Sequence, residues 1–214
     1  MVTLGLLHTS PVHVPVFDAL RDEHRPGLEL RHHVDESLLE RARVAGPDAV
    51  ASDVRAALEQ AVADGAGAVL CTCSTIGGVA EAVGPGSVPV LRVDRPMAAA
   101  AVAAGRRVVV LAAVSSTLGP TSELIEDEAR RAGRDIEVRP VLVEGAWELF
   151  EAGDSDGYAH SIARAVTAVR DADAIILAQA SMAAAQDLLR EAGDVVVPVL
   201  SSPQLGFSAA ARLV

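Results

Sequence analysis

Val88-Pro89-Val90-Leu91 returns later in the chain as Val197-Pro198-Val199-Leu200, and it does not return alone. Leu28-Glu29-Leu30-Arg31 is matched by Ile136-Glu137-Val138-Arg139, and Ala68-Val69-Leu70 by Ala174-Ile175-Ile176, in the same order and at an offset of roughly 106–109 residues. The opening strand, with Thr9-Ser10 after it, is matched by Val108–Ala113 with Ser115-Ser116 after it. Four matched segments in one order describe a chain built from two similar halves. Within the first half, apolar runs alternate with helical patterns. Strand Val2–Leu7 precedes helix Val14–Glu23, strand Leu28–Val34, helix Ser52–Asp64, strand Ala68–Thr72, helix Gly77–Val83 and strand Val88–Val93. Short, continuously apolar strands separated by helices predict parallel sheets buried on both faces. The expected fold is therefore α/β: two pseudo-symmetric, flavodoxin-like, doubly wound halves with an active site in the cleft between them. The expected boundaries are residues 1–97 and 98–200, with 201–214 packing back on the first half through a short helix at Gln204–Val214.

Composition narrows the function. The chain has 214 residues and no Lys, which removes a pyridoxal-phosphate Schiff base and a P-loop. A net charge of −11 and 2% aromatic residues argue against nucleic-acid binding, which needs basic surface and stacking platforms. No G-x-G-x-x-G follows the first strand, so a dinucleotide is not indicated. The start MVTLGLLHTSP reads as a buried strand rather than a signal peptide, and no apolar run reaches membrane-spanning length. The expectation is a cytoplasmic protein with no membrane partner.

Ligands of open parallel sheets sit beyond the carboxyl ends of the strands. The duplicated turns at those ends are Thr9-Ser10, Cys73-Ser74-Thr75, Ser115-Ser116-Thr117 and Gln179-Ala180-Ser181. They are mostly small and hydroxylic, suited either to cap helices or to cradle a carboxylate. Cys71 and Cys73 lie where a strand gives way to a helix expected to begin near Thr75–Gly77. A thiol at a helix start favours thiolate. Cys73, nearer the strand end, is the candidate reactive group, and Cys71 reads as a small core residue. No zinc-ligand spacing is present, and no metal or other cofactor is expected.

A duplicated flavodoxin-like chain with Cys-x-Thr after its third strand resembles the aspartate/glutamate racemase superfamily, which includes hydantoin racemases, maleate isomerases and arylmalonate decarboxylases. The resemblance rests on AVLCTCSTIGG (68–78), VPVLRVDRPM (88–97), VVVLAAVSSTLGPT (108–121), AIILAQASMAAA (174–185) and VPVLSSP (197–203). It implies cofactor-independent proton transfer at a carbon beside a carboxylate or carbonyl. In such racemases two cysteines, one from each half, work on opposite faces of the substrate. Cys73 stands at the first of these positions, Ser74 where many members have Asn, and Thr75 at the usual Thr. The second cysteine position holds Gln179, and the internal repeat pairs the same two residues.

A carboxamide cannot abstract a proton at neutral pH, although it can donate a hydrogen bond to an oxyanion. Three enzymatic readings follow from the substitution. Cys73 is the sole proton donor to an enediolate left by decarboxylation; or it is the nucleophile or base of an isomerisation; or another group replaces the second thiol in a racemase or epimerase. His8, Glu36 and Glu144 are the candidates for that group, His8 because a histidine can titrate near neutrality; the alternatives are a packing or surface role for His8 and helix-start charge compensation for the two glutamates. Arg95 is a candidate partner for a substrate carboxylate. A non-catalytic protein that binds a small acid is the reading from a different class. The substrate side chain is open, and a homodimer or higher homo-oligomer is compatible with the fold.

Overall fold

A computed structural model of the protein describes residues 3–193 and 195–214. The expected strand start at Val2 lies outside these residues. The elements run β1 (Thr3–His8), α1 (Val14–His24), β2 (Glu29–Val34), α2 (Glu36–Ala45), α3 (Ala51–Ala63), β3 (Ala66–Cys71), α4 (Ser74–Val83) and β4 (Val90–Arg92). They continue with α5 (Arg95–Ala104), β5 (Arg107–Ala112), α6 (Leu118–Ala132), β6 (Glu137–Leu142), α7 (Ala146–Glu151) and α8 (Ser155–Ala168). β7 (Ala174–Leu177), α9 (Ala185–Ala192), β8 (Val199–Ser201) and α10 (Ser202–Ala210) complete the chain. Short 3-10 turns precede α1, α3, α6 and α9.

Two four-stranded sheets result, with orders β2-β1-β3-β4 and β6-β5-β7-β8. Every pairing is parallel. Contacts divide the chain into one unit that runs to Asp94 and takes in Pro203–Val214, and a second, Arg95–Ser202.

In the first unit, β1 is buried along its whole length, as a central strand covered on both faces must be. β2 at the sheet edge is only half-buried and carries Arg31 outward. One face of the sheet packs Leu7, Val69, Cys71 and Cys73 against Leu38 of α2, Val54 and Leu58 of α3 and Ile76 of α4. The other packs Leu4, Leu6, Leu70 and Val93 against Phe17 of α1 and Phe207 of α10. In the second unit, Val109, Leu111, Ile175 and Leu177 face α7, α8 and α9, while α5 and α6 pack on β7 and β5.

The helix over Glu36–Ala45 has no counterpart in the sequence pattern described above. Its apolar stripe is thin, with Leu38 and Ala42 alone buried, and its start depends on the Asp35 side chain accepting from the Ser37 N–H. α4 begins at Ser74, slightly earlier than expected.

Register turns the repeat into a residue-by-residue equivalence. Leu7 pairs with Cys71 and Leu111 with Leu177, while Thr72 N–H donates to Leu7 O and Ala178 N–H to Leu111 O. Cys73 and Gln179 are therefore equivalent. The same register places Ala113-Val114, not Ser115-Ser116, at the positions of Thr9-Ser10. The two serines fall instead on the 3-10 turn that matches Pro11–His13. Runs of small hydroxylic residues slide easily along a sequence, whereas hydrogen-bonded register does not.

α10 lies close on the first sheet because Gly206 has no side chain: a Cβ there would stand 2.4 Å from Val93 O. Gly119, inside α6, has nothing within 4 Å of the same position. Gly206→Ala is predicted to destabilise by about 1–3 kcal/mol through overpacking. Gly119→Ala is predicted to stabilise by about 0.4–1 kcal/mol by restricting the unfolded chain. Urea unfolding of both variants checks the contrast; equal shifts would contradict the packing described for α10.

Candidate functional site

Cys73 ends the run past β3 and is the N-cap residue of α4, with φ −111° and ψ 118° and no side-chain capping hydrogen bond. Gln179 stands two residues past β7 as the N-cap of the following 3-10 turn, with φ −115° and ψ 140°. The two backbones thus leave their central strands in the same extended conformation and present different chemistry from the same place.

Cys73 is 9% exposed, whereas Cys71 is fully buried. Burial pushes the Cys71 thiol well up, helped by neighbouring Cys73, so Cys71 stays protonated. Its Sγ sits 3.8 Å from Cys73 O. Both cysteines are free thiols.

The Gln179 carbonyl oxygen accepts from Ala113 N–H at 2.6 Å and from Val114 N–H at 3.3 Å. Two backbone donors fix which end of the carboxamide is oxygen. The NH2 group makes no hydrogen bond among the described residues. Gln179 is thus a locked side chain with a donor to spare.

The turns after β1 and β3 are neighbours because those strands pair. They bring together His8, Thr9 and Ser10 with Cys73, Ser74 and Thr75. Thr9 is buried, and Ser10, Ser74 and Thr75 are half-buried. In the second unit Ser115 and Ser116 are exposed, and Thr117 is buried. Ala180 and Ser181 are half-buried, and Ser181 Oγ lies 2.9 Å from the Tyr158 hydroxyl. Glu36 is exposed at the first turn of α2, and Glu144 is exposed just past β6.

His8 does not behave as the neutral-pH base that its position suggested. It is fully buried, and desolvation, with His32, His13 and His33 nearby, lowers its imidazole to about 3. Both ring nitrogens are engaged, Nδ1 with Thr72 Oγ1 at 2.8 Å and Nε2 with His32 Nδ1 at 2.8 Å. Thr72 spends its own hydroxyl proton on Leu7 O at 3.2 Å. His8 must therefore donate from Nδ1 and accept at Nε2, as a neutral tautomer. The signal missed in the sequence was that the strand-end histidine sits on a wholly buried strand.

Arg95 is likewise engaged, pairing with Asp127 at 2.9 Å and with Glu128. The buried ion pair near the site is instead Arg92 with Asp94, joined by two hydrogen bonds of 2.6 and 2.9 Å. Sequence reading overlooked Arg92, which lies inside an apolar strand pattern. Among the described residues no group of three or more His, Cys, Asp or Glu could hold a metal ion. No helix among them is long and apolar enough to cross a membrane.

The profile of the family described as Asp/Glu/Hydantoin racemase matches residues 5–210. Among solved structures, an aspartate racemase from Picrophilus torridus superposes with a TM-score of 0.76 at 13% identity, covering 99% of this chain and 94% of that one. A glutamate racemase from Bacillus anthracis gives 0.70 at 16%, with 99% and 81% covered. A cysteine-substituted mutant of arylmalonate decarboxylase gives 0.67 at 21%, with 99% and 92% covered. No curated protein matches the chain.

The buried histidine makes stability depend on pH. Unfolded, His8 takes up a proton as pH falls through about 6.5; folded, it stays neutral down to about 3. The unfolded state therefore binds more protons in that window, and stability falls with pH across it. His8 accounts for up to about 1.4 kcal/mol per pH unit of that fall. His8→Gln should show a shallower slope in urea unfolding between pH 6.5 and 4, whatever its stability at pH 7. A slope equal to the parent's would contradict a neutral His8.

Proposed function

The chain belongs to the Asp/Glu/hydantoin racemase family, and on that footing we propose that it transfers a proton at the carbon alpha to the carboxylate of a small acid or amino-acid derivative, with Cys73 as the single acid/base group. The observation that carries this reading is the register equivalence of Cys73 and Gln179. One central strand ends on a thiol, the other on a carboxamide whose oxygen is already engaged and whose NH2 is left to donate.

In this reaction the Cys73 thiolate removes the alpha proton, and the C–H electron pair moves into the carboxylate to give an enediolate. The Gln179 NH2 is a donor of the kind that stabilises an oxyanion. The thiol then returns a proton either to the same carbon with configuration kept, which leaves only isotope exchange, or to another carbon of the delocalised anion, which is the net isomerisation. The partly buried hydroxyls and backbone N–H groups at Thr9, Ser10, Ser74 and Thr75 hold the carboxylate beside Cys73. Thr117, Ala180 and Ser181 line the corresponding turns of the second unit, with Ser181 held by Tyr158. Ser115 and Ser116, both exposed, serve as outer contacts. Glu36 and Glu144 are exposed, and a reaction with one acid/base group assigns them no role.

A second reading shares the same residues. If carbon dioxide leaves first, its bonding electrons form the enediolate, and the Cys73 thiol supplies the one proton that completes the product. One thiol at the strand end favours this reading, because decarboxylation needs one proton donor and racemisation needs a group for each face.

The test is solvent exchange in deuterium oxide with a panel of small carboxylic acids, followed by mass spectrometry for alpha deuterium and for lost carbon dioxide. Cys73→Ala should lower either activity by about 10²–10⁴-fold. Cys71→Ala should keep most of it and lose stability instead. Full activity in Cys73→Ala would overturn the assignment.

A further inference from the structure

We infer that Arg92 is a positioning residue for Cys73, holding the first turn of α4 so that the N-cap thiol keeps its place. The inference rests on Cys73 being the reactive group. Arg92 lies beside Cys71 in the β3–β4 register, so it shares the sheet face on which Cys71 and Cys73 pack. A charged residue 6% exposed on an otherwise apolar face needs a reason.

Its bonds supply one. Nε and Nη2 grip the fully buried Asp94 carboxylate, which neutralises the charge, and Nη2 also donates to Ser74 O at 3.3 Å. Ser74 is the first residue of α4, directly after Cys73. One guanidinium thus ties the end of β4 to the start of the helix that Cys73 caps.

The glycine pair in α4 fits the same purpose. A Cβ at Gly77 would come within 2.9 Å of Arg92 Cβ and 3.2 Å of its Nε, and one at Gly78 within 3.3 Å of Nη1. Two adjacent glycines weaken a helix. Here their bare backbone is what lets the arginine lie against it.

The second unit, where the carboxamide replaces the thiol, lacks the device. The register position of Arg92 is Ser201 there, and the same count that separates Gly77 and Gly78 from Cys73 leads from Gln179 to Ala183 and Ala184, at the end of a 3-10 turn rather than inside an α-helix. Ser201 Oγ donates to Gln186 Oε1 at 2.6 Å, and Gln186 Nε2 donates to Val199 O at 2.7 Å. The charged tie therefore accompanies the thiol and not the amide.

The experiment reads Cys73 directly, without turnover, by iodoacetamide alkylation of the full chain across pH 6–10, located by fragment mass spectrometry. Two variants are compared with the parent. Arg92→Met combined with Asp94→Leu removes both charges together, a replacement that buried ion pairs often tolerate. Gly77→Ala displaces the arginine and leaves every charge in place. In both, the limiting alkylation rate at high pH should rise about threefold or more as the first turn loosens. The midpoint of the pH profile should also move up by about half a unit or more, as the thiolate loses its fixed helix start. Arg92→Lys, which can pair with Asp94 but lacks the fork needed to reach Ser74 as well, should keep the parent's unfolding temperature and still show the altered profile. If the double variant does not fold, Gly77→Ala decides. Parent-like rates and profiles in the folded variants would overturn the inference. The exchange assay on Cys73→Ala fails or succeeds independently of this result, so the loss of one claim is distinguishable from the loss of the other.

Discussion

A parallel strand buried on both faces has only its carboxyl end through which to reach a ligand. That constraint shapes both units. β3 and β7 are each flanked on both sides by hydrogen-bonded neighbours, so neither can slide. The residue two positions past each strand is thereby fixed as the cap of the next helical turn. What stands there is the only freedom left to sequence, and the chain has used it twice, differently: a thiol in one unit, a carboxamide in the other.

The two caps are secured by different means. Gln179 locks itself, spending its carbonyl on two backbone donors. A cysteine side chain is too short for this. Its place is set by what surrounds it: Thr72 pinned by neutral His8 on one side, and Ser74 held by Arg92 on the other. Both supports are polar groups buried in an otherwise apolar layer, and each is fully partnered, which is the condition for tolerating such burial. The same reasoning removes His8 from the list of bases and leaves it as part of the frame.

Much of this was legible in the sequence. The repeat predicted two parallel α/β units because buried strands leave continuous apolar runs, as at Val69–Leu70 and Ile175–Ile176. It also paired Cys73 with Gln179. It misaligned Thr9-Ser10 with Ser115-Ser116, since serine-rich turns carry no register of their own. It offered no sign of α2, whose start depends on a single Asp35 contact. It left His8 open between a base and a packing histidine, because a sequence does not display how completely one ring is enclosed. It passed over Arg92, since a lone arginine next to an aspartate two residues on looks like a surface pair until the strand direction is known.

The central claim is that one thiol does the proton work alone. The stereochemical course of exchange tests it most directly: a single enantiomer of an accepted acid is incubated in deuterium oxide, and both the alpha label and the handedness of the recovered acid are measured. One base working on one face predicts deuterium entering with configuration kept. Rapid inversion by the unaltered protein, matched to the rate of label uptake, would contradict the account.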